Sequence, residues 1–135
     1  MKKIADLSTI FIILVAFGVF VPLAMSAAGM EVANSAICEK IINREIVNEG
    51  RSFSASVGKL YCFSEIANID SYTEVVHAWY YGNTERARVT LNVNPPAWRT
   101  YSSKVIQAHE IGSWRVEILD AAGNLLNTVN FEVTQ

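Results

Sequence analysis

Five polar side chains and one indole in this chain have types and spacing suited to chemistry. His77 and Trp79 stand two residues apart in an apolar run, Val75 to Tyr81. On a strand that spacing puts both on one face. A histidine beside an aromatic platform can hold a ligand or move a proton; the simpler reading is a core histidine bonded to backbone, with Trp79 packed beside it. Arg99, Ser102, Ser103 and Lys104 form the densest polar cluster. Two cations and two hydroxyls can grip a carboxylate or phosphate. Strand alternation divides them, with Arg99, Tyr101 and Ser103 on one face and Trp98, Thr100, Ser102 and Lys104 on the other. The divided cluster therefore also reads as structural, with Arg99 paired to an acid or stacked on a ring. Trp79, Trp98, Trp114, Tyr80, Tyr81 and Tyr101 could stack on sugars if exposed. The alternation around Trp114 places that ring in a core, and core packing serves the other tryptophans equally well.

Enzyme signatures are missing. The chain has no His-Glu-x-x-His, Gly-x-Ser-x-Gly, phosphate loop or Cys-x-x-Cys. His109-Glu110 is followed by Ile111-Gly112-Ser113, so no second metal histidine stands where one is needed. No catalytic residue, cofactor or metal site is predicted. An acid–base pair assembled only by folding stays open, because thirteen carboxylates are present and spacing cannot position them.

Cys38 and Cys62 are the only cysteines. In an oxidising compartment such a pair tends to bond, and closing the loop between them would stabilise the fold by about 3 kcal/mol. They are therefore disulfide candidates. Free buried thiols and a metal pair completed by His77 or His109 are the alternatives.

The compartment is suggested by the first residues. Lys2 and Lys3 precede an uncharged, almost wholly apolar run from Ile10 to Met25, and small residues follow at Ser26, Ala27 and Ala28. This is the pattern of a secretory signal over residues 1–28. An uncleaved membrane anchor over residues 7–25 is the alternative, although the run is short for a span. The expected location is periplasmic or extracellular, or at the inner membrane if the anchor stays. No lipoprotein cysteine follows the small residues.

The remaining chain, 29–135, reads as strands. Ala87, Val89, Leu91 and Val93 alternate with polar residues, as do Trp114, Val116 and Ile118, and Val129, Phe131 and Val133. Leu60–Phe63 and Val75–Tyr81 are apolar on both faces, as central strands are. Gly82-Asn83, Asn94-Pro95-Pro96 and Asp120 to Asn124 are turn signals, with a positive φ expected at Gly123. Residues 43–56 read as a long loop, and single helical turns are expected near 66–71 or 105–111. About seven strands in an all-β, immunoglobulin-like antiparallel β-sandwich follow, after an N-terminal signal helix.

Charge narrows the function. The chain has 135 residues and a net charge of −2. That lacks the basic field nucleic-acid binding needs, and the length suits one domain. Most of the apolar excess lies in the first 28 residues.

Leu60-Tyr61-Cys62-Phe63, His77-Ala78-Trp79, Trp98-Arg99-Thr100-Tyr101-Ser102-Ser103-Lys104, Gly112-Ser113-Trp114-Arg115-Val116 and the closing Phe131-Glu132-Val133 occur in an order with precedent. Together they resemble the bacterial domain of unknown function 2914 family, over about 34–134. The resemblance implies a small, β-rich, exported or membrane-attached domain. It implies no activity and carries no catalytic residues across. The expected function is a non-enzymatic exported module binding a protein or cell-envelope partner. The alternative is a small-ligand or glycan-binding domain using surface aromatics with Arg99 and Lys104.

Overall fold

The computed structural model describes residues 29–135, together with Gly18. The expected signal or anchor helix lies outside these residues. Among the described residues, no helix is long and apolar enough to cross a membrane.

Among the described residues, nine strands form two facing sheets. They are β1 (Glu31–Ile42), β2 (Glu45–Gly50), β3 (Ser52–Ser54), β4 (Lys59–Ala67), β5 (Thr73–Tyr81), β6 (Thr84–Val93), β7 (Trp98–Val105), β8 (Gly112–Asp120) and β9 (Leu125–Thr134). One sheet has the order β2-β1-β4-β7 and the other β3-β9-β8-β5-β6. The runs apolar on both faces, β4 and β5, are indeed central. Leaving out β2, the wiring is that of an immunoglobulin-like sandwich. In that wiring the short β3 pairs in parallel with the last strand, and a tryptophan of the third core strand, here Trp79 on β5, is buried. The all-β sandwich class is as the alternation indicated, with the parallel β3–β9 pair as the exception to antiparallel order.

The inner faces interdigitate. Leu60 and Cys62 from one sheet meet Trp79, Trp114, Val116 and Phe131 from the other. Trp114 stacks on Phe131 at 5.9 Å between ring centroids, and its indole donates to the Glu110 carbonyl. Ile66, Val75, Val93 and Ile118 continue the core toward the opposite end. Gly123 has φ 87, in the left-handed region expected of it. The Asp120 carboxylate closes this turn by accepting from the backbone amides of Ala122 and Asn124.

Residues 43–56 are not a loop. They complete a hairpin with β1, then carry the chain across to the second sheet as β3 and a 3-10 turn at Ala55–Val57. Asn43 and Arg44, with φ 51 and 63, make the two-residue hairpin turn, in which both central residues need positive φ. That 3-10 turn is the one helical element among the described residues; near 105–111 a single turn closes where the Glu110 amide donates to the Gln107 carbonyl at 3.0 Å, and none forms at 66–71.

The β1–β2 hairpin does not continue flat. β1 pairs with β4 only as far as Cys38↔Tyr61, and beyond that point it pairs only with β2. In a flat sheet, β2 and β7 would lie three strand spacings apart, about 14 Å. Yet Arg44, Glu45 and Ile46 at the hairpin tip line one depression with Phe63 and Glu65 of β4 and Arg99 of β7, and Glu45 lies 3.8 Å from Arg99. The hairpin therefore curls over the outer face of its own sheet. This cover explains why Ala36, Cys38 and Phe63, which point away from the core, are buried.

The cysteines are free. Ile37 faces Cys62 across the ladder, and Cys38 faces Tyr61. Side chains alternate along a strand, so Cys62 points into the core while Cys38 points out beneath the hairpin. Opposed Cβ directions prevent a bond, and the expected disulfide is corrected accordingly. Burial pushes both thiols up from their ordinary range, which keeps them protonated and unreactive.

Candidate functional site

Three places draw on the residues singled out above. The first lies inside the sandwich. The neighbours of His77 are hydroxyls from the facing sheet, which corrects the expected backbone bonding. Nε2 shares a hydrogen bond of 2.6 Å with Ser64 Oγ on β4, and Nδ1 shares one of 2.7 Å with Ser102 Oγ on β7. Trp79 Nε1 donates to the same Ser102 Oγ at 3.0 Å. A neutral imidazole has one donor and one acceptor nitrogen, so it can match one hydroxyl at each end. A protonated ring would direct an N–H at both hydroxyls. Burial also holds its pKa down at about 4. His77, Trp79 and Ser64 are fully buried and Ser102 nearly so. A serine hydroxyl against a histidine nitrogen is the contact a nucleophile uses. Here no substrate can reach it and no carboxylate orients the ring, so the network couples the two sheets. Ser64 carried no signal in the sequence, because its partner is thirteen residues away on the other sheet.

The second place is the outer face of the sheet β2-β1-β4-β7. Alternation divides the Arg99–Lys104 cluster as expected. Ser102 turns into the core, while Ser103 is exposed. Lys104 Nζ donates to the Val105 carbonyl at 2.7 Å. Arg99 lies 3.8 Å from Glu45 and 3.9 Å from Glu65, contacts beyond good hydrogen-bond range. It lines a cleft of about 510 Å³ under the hairpin tip, together with Arg44, Asn43, Phe63, Trp98 and Tyr101. Tyr101 is 48% exposed and meets Tyr61 edge-on at 6.0 Å. Trp79 and Trp114 are core residues and Trp98 is half-buried. Tyr80 stacks with Arg115, and Tyr81 lies against Trp114. The six rings thus form no common surface.

The third place was not foreseen. The side of the sandwich where the chain changes sheets is only partly closed. β3 pairs with β9 over Glu132 to Thr134 alone, so on that side residues 125–131 have no strand partner among the described residues. Facing them, β1 before Ile37 has none from β2. Between the two edges runs a groove of about 560 Å³, walled by Ser35–Ile37 and Asn127–Asn130 and closed at one end by Glu49–Arg51. Asn127 Nδ2 donates to Ser35 Oγ across it. The Glu132 amide donates to the Arg51 carbonyl at 2.8 Å. By strand alternation, the backbone groups of Thr128 and Asn130 point the same way, into the open slot.

This edge is unguarded. β6 bears Glu85, Arg86 and Arg88, and β7 bears Arg99 and Lys104. β2 bears Glu45 and Glu49 and is distorted at Asn48, with φ 55. Charge and distortion are the usual protection of exposed strands. Leu125 to Asn130 has no charge, proline or glycine, and Leu125 is 56% exposed.

Among the described residues, no group of three or more His, Cys, Asp or Glu side chains could hold a metal ion. The metal alternative built on His77, His109 and the cysteines therefore has no assembled site there.

The model of the family described as Protein of unknown function (DUF2914) matches residues 72–133. It bears out the family resemblance over that segment, which runs from the start of β5 almost to the end of β9. The hairpin, Ser64 and both cysteines lie outside it. Comparison with curated proteins finds no match.

Proposed function

We propose that this DUF2914-type chain is a non-enzymatic, exported binding module whose partner is a protein, taken up as an extended strand along β9. One observation carries the reading: the uncharged, unpaired stretch Leu125–Asn130 beside an open groove. Strand addition draws affinity from main-chain hydrogen bonds and specificity from alternate side chains. The fold already shows the mode on itself, because β3 adds to β9 in parallel and stops after three residues. An incoming strand continues the line β3 leaves. The sealed Ser64–His77 pair supports a role without catalysis, and the uncharged apolar run from Ile10 to Met25 behind Lys2 and Lys3 supports export. The test is selection of displayed random ten-residue peptides against the full chain, with Asn130→Pro as the counter-target. That substitution removes an outward amide. Peptides that bind the native chain and lose about tenfold or more on Asn130→Pro support the proposal; peptides indifferent to it refute it.

A second reading, a small-ligand or glycan site using surface aromatics with Arg99 and Lys104, is favoured by the cleft under the hairpin. Lys104 does not line that cleft.

A further inference from the structure

We infer that the cleft beneath the β1–β2 hairpin is a site for a saccharide bearing a carboxylate, a uronic-acid sugar, held between Arg44 and Arg99; this deepens the glycan reading and rests on it. Three chemistries line the cleft, and one ligand class uses them all. Tyr101 offers a half-exposed ring, steadied by Tyr61, on which the C–H face of a pyranose can lie. Asn43 offers an amide for sugar hydroxyls. Arg44 and Arg99 offer two guanidinium forks for a carboxylate. No acid is among the cleft's lining residues, so the charges that face a ligand directly are the two guanidinium groups. Its volume of about 510 Å³ falls in the range of small-molecule sites.

Arg44 supplies an independent observation. It holds φ 63 at the second position of a two-residue hairpin turn, where glycine is the residue without strain. It makes no ion pair or side-chain hydrogen bond within the described residues. A strained backbone thus carries an unengaged cation into the cleft mouth. Arg99 is held only loosely by Glu45 and Glu65, at 3.8 and 3.9 Å. Glu49 also borders the adjoining depression, so a carboxylate ligand competes with three glutamates for the arginines. Binding is therefore weak, and it falls with added salt.

The test is calorimetric titration of the full chain with tetragalacturonate, and with neutral galactotetraose as control. The expected result is binding of tetragalacturonate about tenfold or more tighter than the neutral sugar. Arg99→Gln and Arg44→Gly should each weaken it by about tenfold. Arg44→Gly is the discriminating variant, because it relieves the turn and should raise the melting temperature while weakening binding. Equal binding of both sugars overturns the carboxylate assignment and leaves the glycan reading standing. Binding of neither overturns both. Binding of tetragalacturonate that survives both arginine substitutions places the site elsewhere and overturns the inference.

Discussion

Between pH 6.5 and 5, acidification should destabilise this fold through a buried histidine. His77 sits fully buried between two serine hydroxyls and beside an indole, with no charged hydrogen-bond partner. Burial lowers its pKa from 6.5 to about 4. The unfolded chain takes up a proton below pH 6.5 while the folded chain does not until about 4. Stability is therefore full above 6.5, falls as pH drops between these values, and is flat in this term below them. A gap of this size is worth about 3 kcal/mol, of which about 2 kcal/mol is lost between pH 6.5 and 5. That is a large share of the 5–15 kcal/mol typical of a domain. Urea unfolding of the native chain and of His77→Phe, each across pH 7.5 to 4, isolates the effect, because every other titrating group is common to both. The native chain should lose about 2 kcal/mol more than the variant between pH 6.5 and 5. Should His77→Phe fail to fold, the ring's NMR titration gives the same answer, with His77 neutral at pH 5.5. Parallel pH profiles, or a His77 ring that protonates near 6.5, would refute the reasoning.

Trp114→Ala removes a buried ring that stacks on Phe131 and donates to Glu110, and should cost about 3–5 kcal/mol in urea melts; a loss below about 1 kcal/mol would contradict its core placement. Cys38 and Cys62 should remain thiols after purification without reductant, both alkylated only on unfolding, and an intact mass lower by two hydrogens would contradict the opposed faces. Raising salt should weaken any ligand of the Arg44–Arg99 cleft far more than a strand peptide at β9, whose bonds are main-chain ones.

The sandwich was legible wherever burial of one face wrote itself into alternation. β6, β8 and β9 follow this rule, and Trp114 could be assigned inward from its neighbours alone. The hairpin and β3 were not legible. The turn uses Asn43-Arg44 without glycine, and the strands on either side of the sheet change are short and polar. The division of Arg99 from Ser102 followed from parity within one strand. The opposed cysteines did not, since they lie on different strands and only the ladder register reveals that Cys38 faces Tyr61. The partners of His77 were hidden for a related reason, because Ser64 and Ser102 reach it across the interior. The β9 edge was equally silent in sequence, because without guarding charges it has the composition of a paired strand. What sequence does show, once the edge is known, is that Leu125–Asn130 lacks the charges that guard the others.

Hydrogen exchange at two backbone amides reads the strand-addition proposal most directly. In the free chain, Thr128 and Asn130 face the open slot, whereas Phe131 and Val129 face the β8 side. A peptide selected for binding should slow exchange at Thr128 and Asn130 by about tenfold or more and leave β6 and β7 unchanged. Protection confined to another edge, or unchanged exchange at both residues while the peptide is bound, would contradict the account.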